Sequence, residues 1–151
     1  MRSRWLALAG AVLTLALMPR AGSAQGTQDL ASKQKGKIQS VYPNPSNPES
    51  RSQFTIGDDP PTCTDRKQYR VTFVVINAIG QRVATPVLEG SAGGVAGGQK
   101  IQNVLMTCGQ YVGYWNGKIL DSRREAASGV YTWMLMVDGK ITFTQKASVV
   151  K

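Results

Sequence analysis

The sequence predicts an all-β fold, an antiparallel two-layer sandwich of short strands. Three observations predict it. From residue 38 onward, short runs rich in Val, Ile, Thr, Tyr, Phe and Trp alternate with clusters of Gly, Pro, Asn and Asp. No amphipathic period of the helical kind interrupts them. The longest run, Gly129 to Val137, ends on Asp138-Gly139, the strongest short-range hairpin signal, and Lys140 to Lys146 returns as an alternating strand. That central run is apolar on both sides. Tyr131, Trp133, Leu135 and Val137 share one face, and Val130, Met134 and Met136 share the other. An antiparallel strand is commonly apolar on one face only. Since a two-layer domain buries one face, the other is expected to need a cover, and a protein partner is the first candidate.

The chain starts with Arg2 and Arg4, an apolar run from Trp5 to Met18 broken only by Thr14, and the small residues Ala21-Gly22-Ser23-Ala24. This pattern predicts a secretory signal peptide over residues 1–24, cut before Gln25. The run falls short of the ~20 apolar residues of a membrane helix; an uncleaved anchor is the alternative. Residues 25–37 are polar, with Lys33, Lys35 and Lys37 at intervals of two, and are expected to form a flexible arm. Removal of the leader leaves 127 residues (151 − 24), enough for one core. The whole chain carries a net charge of +9. Loss of Arg2, Arg4 and Arg20 lowers this to +6, a balance suited to acidic protein surfaces or to contact with anionic lipid outside the cytoplasm. No basic run with interleaved aromatics is present, so no nucleic acid partner is expected. The plainer reading of the charge is a solvated basic surface.

Ile38 to Tyr42 is the first expected strand. Pro43-Asn44-Pro45-Ser46-Asn47-Pro48 follows as a rigid corner, because proline fixes φ and has no N–H to donate. Ser52 to Ile56 is the second strand, and Asp58-Asp59-Pro60-Pro61 a turn. Tyr69 to Asn77 is the third; after the turn Ala78-Ile79-Gly80-Gln81, Arg82 to Leu88 is expected to return as the fourth. Glu89 to Gln110 is an insertion with glycine-rich residues 90–98 and a strand candidate, Ile101 to Thr107. It has neither the Lys-Ser/Thr pair nor the βαβ frame of a phosphate loop, and is expected to be flexible. Tyr111 to Trp115, the Asn116-Gly117 turn and the polar crossing loop Ile119 to Ser128 lead to the central strand.

The chain has no histidine. This removes Ser-His-Asp and Cys-His catalysis and the commonest zinc ligand. No spaced set of metal ligands is evident, no pair of carboxylates is placed suggestively for glycoside hydrolysis, and neither cysteine has a CxxC partner. No cofactor, metal or enzymatic activity is therefore expected, an enzyme acting on envelope polymers being the remote alternative. Cys63 and Cys108 are an even pair in a chain with an export signal, which predicts a disulfide; two free thiols are the alternative. Closing that loop would stabilise the fold by roughly 4 kcal/mol.

Four motifs occur in order: Val41-Tyr42-Pro43-Asn44-Pro45-Ser46-Asn47-Pro48-Glu49, Ala78-Ile79-Gly80-Gln81-Arg82-Val83, Trp115-Asn116-Gly117 and Ser128-Gly129-Val130-Tyr131. Together they resemble the immunoglobulin-like domain of flagellar hook-capping proteins, and are similar to the C-terminal sorting domain of type IX secretion cargo. The resemblance spans about residues 38–151 and implies an immunoglobulin-like antiparallel β-sandwich of about seven strands. The expected function is that of a non-enzymatic binding or structural module in the periplasm or at the cell surface, an accessory subunit docking onto a larger envelope or membrane-associated complex. A sorting or surface-attachment domain is the alternative.

In such a sandwich the third strand lies beside the sixth, and the sixth pairs with the seventh. The resemblance then turns Tyr131, Trp133 and Leu135 inward with Val71, Phe73 and Val75. Val74, Ile76, Met134, Met136, Ile141 and Phe143 face outward, with Phe143 opposite Met134. Such a patch would cover on the order of several hundred Å², the size that marks an interaction site. Two alternatives attach to it: the insertion or the N-terminal arm covers this face, or a bulge in the hairpin exchanges part of the assignment.

Overall fold

The computed structural model of the chain describes residues 35–57, 63 and 66–151. The signal peptide, the arm up to residue 34 and the Asp58–Pro61 turn lie outside the described residues. Nine strand segments follow in order: β1 (Gly36–Asn47), β2 (Glu49–Ile56), β3 (Gln68–Ile76), β4 (Arg82–Ala84), β5 (Val87–Leu88), β6 (Val104–Thr107), β7 (Gly109–Trp115), β8 (Gly129–Val137) and β9 (Lys140–Val149). No helix occurs among the described residues. The strands form two antiparallel sheets packed as a sandwich. One runs β1-β2-β7-β5, and the other β4-β3-β8-β9, with β6 also paired to β3.

Two departures from the expected strands have the same cause. The proline corner lies within β1, at a sheet edge where missing N–H donors do least harm. Its register with β2 breaks between Tyr42 and Asn47, and Ser46 crosses to a parallel bridge with Val149 of β9. The expected fourth strand, Arg82 to Leu88, is two segments in different sheets. Pro86 separates them; it has no N–H for a ladder, and its carbonyl accepts from Ile101 N at 2.9 Å.

The core is an aromatic chain between the sheets. Ring centroids lie 4.9 Å apart for Phe54 and Phe73, 5.3 Å for Phe73 and Trp133, 6.2 Å for Trp133 and Trp115, and 5.5 Å for Trp115 and Tyr131. These separations suit edge-on and tilted ring packing. Tyr131 Oη donates to Ala127 O at 2.8 Å, so the only polar atom of that ring is satisfied without leaving the core. Facing these large rings, β2 contributes small residues: Ser50 and Ser52 are buried, and neither hydroxyl has a partner among the described residues.

The glycine-rich segment is a set of hydrogen-bonded turns. Ala92 and Val95 exchange backbone bonds, Gly98 N donates to Leu88 O and Leu88 N to Gln99 O, and Val95 and Ile101 are buried. Gly93, at φ 61°, abuts the Tyr111 hydroxyl where any Cβ would collide with the ring.

Cys63 and Cys108 form a disulfide with Cα atoms 5.5 Å apart. It pins the segment before β3 to the junction of β6 and β7. Gly57, at φ 89°, passes close beneath it; a Cβ there would lie 2.7 Å from Cys108 Sγ. A structural disulfide of this kind points to an oxidising, extracytoplasmic compartment.

Candidate functional site

The register of β3, β8 and β9 decides which side chains share a face. Val71, Phe73 and Val75 oppose Val137, Leu135 and Trp133, and all six are buried between the sheets. On the other side, Val74 opposes Met134 and Thr72 opposes Met136. Across the hairpin, Val137 pairs with Lys140 and Met136 with Ile141, as the two-residue turn requires. The ladder then slips. Leu135 pairs with Phe143 and Met134 with Thr144, leaving Thr142 as the extra residue of a β-bulge. Its hydroxyl donates to Leu135 O at 3.2 Å.

The bulge corrects one expected site residue. Phe143 does not stand opposite Met134 on the outer face; it sits across from the inward Leu135 and packs against the core. Strict alternation from the turn cannot anticipate this, because one extra residue reverses every facing after it.

The outer row is thus Val74, Ile76, Met134, Met136 and Ile141. Its members differ in exposure. Val74 is buried at 7% yet stands outside the core cluster. Ile76, Met134 and Met136 are half-buried, and Ile141 is 59% exposed. Two further apolar residues extend the row: Val130, 51% exposed at the start of β8, and Leu105, 45% exposed on β6 opposite Arg70. Leu105 is not among the outward residues expected from the sequence. The signal for it is the alternation Val104, Leu105, Met106, in which the first and third are buried. Thr72, Thr132 and Thr144 interleave with the apolar side chains, and Arg70 and Lys146 stand at the margins.

Besides β6, which adds Leu105 to this face, the insertion meets it at the rim. Asn103 N donates to Thr72 Oγ1 at 2.9 Å, and Arg70 Nη1 to Asn103 Oδ1 at 3.1 Å. The backbone bonds of residues 89–101 instead run to β5, β7, Pro86 and Phe73.

The opposite sheet carries a charged cluster without reactive character. Arg51 Nε donates to both carboxylate oxygens of Glu89, at 2.8 and 3.1 Å, and its guanidinium lies 5.1 Å above the Tyr114 ring. The hydrogen bond to Glu89, followed by the charge of that carboxylate, raises the Arg51 pKa. Burial, and next the hydrogen bond that the phenol donates to Glu49, raises the pKa of Tyr114. Both shifts hold the groups in their ordinary neutral-pH states, cationic and uncharged, rather than making a base or a nucleophile. Among the described residues no three His, Cys, Asp or Glu side chains gather as metal ligands, and no helix is long and apolar enough to cross a membrane.

No protein-family model and no curated protein matches the chain. Among solved structures it is similar to the Pseudomonas fluorescens alkylpurine DNA glycosylase AlkC bound to DNA containing an abasic site analog, with 14% identity and a TM-score of 0.43. The match covers 78% of this chain and 31% of that one, so the chain spans about a third of the glycosylase's length. At that TM-score the likeness carries no argument about fold type or activity.

Proposed function

We propose that the protein is a non-enzymatic, exported binding module, an accessory subunit that docks onto a larger extracytoplasmic or membrane-associated protein complex through the outer face of the β3–β8–β9 sheet. One observation carries the proposal. β8 is apolar on both faces, and its outer row of Met134 and Met136, continued by Val74, Ile76 and Ile141, lies outside the core. Methionine side chains are flexible and polarisable, which suits a surface that adapts to a partner. The immunoglobulin-like type is part of the same reading. It is supported by the β3–β8–β9 pairing and by the bond from Tyr131 Oη back to Ala127 O, which has the form of the tyrosine corner of such sandwiches.

A sorting or surface-attachment role of the type IX kind is the second reading, favoured by the ordered motifs from Val41 to Glu49 and from Ser128 to Tyr131. The two separate in one experiment. Met134→Glu combined with Ile141→Glu changes only the outer face. The variant is expected to keep its melting temperature within a few degrees and its disulfide, and to lose co-purification with its complex from native membranes. Undiminished association would refute docking through this face. Loss of export or surface attachment, with no complex recovered from the wild type, would favour the sorting role.

A further inference from the structure

The end of the sandwich remote from the Asp138-Gly139 hairpin holds a feature independent of the outer face. A cleft of about 240 Å³ opens there between β4, the end of β7 and the loop from Asn116 to Asp121. Arg82, Lys100 and Lys118 line it, with Asp121 as its one acid. Lys100 Nζ is bonded to Asp121 Oδ1, which neutralises that pair. Arg82 and Lys118 have no carboxylate partner among the described residues. Arg123 and Arg124 follow on the same loop, both exposed. The cleft therefore has an unbalanced positive field, and two free cationic heads converge on it from different elements.

Two exposed aliphatic side chains belong to the same end. Leu120 lines the cleft, is 51% exposed and has φ 50°. The other described non-glycine residues with positive φ are Asn103 and Asp138, types that tolerate it. A leucine held in the left-handed region at a cost, with its side chain in solvent, is the kind of strain that collects at functional positions. Ile79 is 77% exposed at the tip of the turn leading to Arg82. That tip is stiff: Asn77 Oδ1 accepts from Ile79 N at 3.2 Å and from Gln81 N at 2.9 Å, and Gly80 N donates to Asn77 O.

We propose that this end is a docking surface for an anionic phospholipid bilayer. A headgroup phosphate sits in the cleft between Arg82 and Lys118, while Leu120 and Ile79 enter the boundary of headgroup and acyl chain. Charge complementarity selects the anion, and the neighbouring aliphatic side chains select a lipid over a soluble phosphate. Single-stranded nucleic acid fits poorly, because it needs open aromatic rings for its bases. Trp115 is buried with Nε1 donated to Lys118 O, and Arg51 occupies a face of the Tyr114 ring.

Co-sedimentation of the purified full chain with two kinds of vesicle tests this. One is phosphatidylcholine alone, and the other phosphatidylcholine with phosphatidylglycerol. The readout is the ratio of the two partition coefficients, from which any apolar N-terminal segment cancels. The ratio is expected to be large and to fall with salt. Arg82→Gln with Lys118→Gln should lower it about twenty- to thirtyfold, at about fivefold for each charge near a bilayer surface. Lys37→Gln with Lys140→Gln removes the same charge from the hairpin end and should lower it by less than about twofold. Leu120→Gly relieves the backbone, so it should leave the melting temperature unchanged or higher while weakening vesicle binding. Equal binding to both vesicles would overturn the proposal, as would equal losses from the two lysine- and arginine-depleted pairs, or a Leu120→Gly variant that binds vesicles as wild type does. Glycerol phosphate binding in solution without any vesicle preference would make the cleft a soluble-phosphate site and overturn it as well.

Discussion

The two faces of β8 are built from similar material and do different work. Inward, Tyr131, Trp133, Leu135 and Val137 are buried against a second sheet, and rings from β3 and β7 meet them at tilted or edge-on angles. Outward, Val130, Thr132, Met134 and Met136 mix aliphatic, hydroxyl and thioether groups, and Val74 of the neighbouring β3 is the most buried member of that sheet face. The inner face holds rigid, shape-specific groups fixed from two sides. The outer holds two flexible methionines among β-branched Val, Ile and Thr side chains, fixed from one. Apolar composition alone does not distinguish a core from a docking surface; the number of sides from which each side chain is held does.

Substitutions can sharpen that contrast. The largest effect belongs inside: Trp133→Ala should cost about 3–5 kcal/mol by equilibrium denaturation, since a fully buried indole leaves a cavity its stiff neighbours cannot fill. Met136→Ala, three positions along the same strand but outward and half-buried, should cost about 1 kcal/mol. A similar effect on both would mean the outer face is packed like a core.

A subtler pair lies across the bulge. Ile141 and Phe143 would share a face in a regular strand, yet the slip at Thr142 separates them. Phe143→Ala should destabilise by about 2 kcal/mol, and Ile141→Ala by no more than ~0.5 kcal/mol. Equal losses would show a regular ladder and return Phe143 to the outer face. The smallest effect is expected at the far wall of the core. Ser52→Ala removes a buried hydroxyl that has no partner among the described residues, so stability should stay within ~0.5 kcal/mol or rise. A loss above 1 kcal/mol would reveal a hydrogen bond there.

Much of this molecule is legible in its residues. Asp138-Gly139 predicts the hairpin turn, alternation puts Tyr131, Trp133 and Leu135 on one face, and the family resemblance implies that this face turns inward with Val71, Phe73 and Val75, as the structure has it. The pairing of Cys63 with Cys108 is expected from an even cysteine count together with the expected leader, and the structure bears the disulfide out. Other features were hidden. Pro86 marks a break inside Arg82–Leu88, but nothing local says that the halves join different sheets. Leu120 belongs to a polar loop and looks unremarkable until its backbone and exposure are known together.

By itself, then, the sequence determined the all-β class, the central two-faced strand, the tight turns and the disulfide, because each depends on side-chain type and on spacing over a few residues. The tertiary structure alone decided the bulge at Thr142, the division of β4 from β5, the burial of Val74 on the far side of its sheet, and the placing of Arg82 and Lys118 along one cleft. These depend on which strands lie side by side and on their exact offset. A shift of one residue costs little in local conformation and reverses every facing that follows, so the choice is made by packing between distant segments.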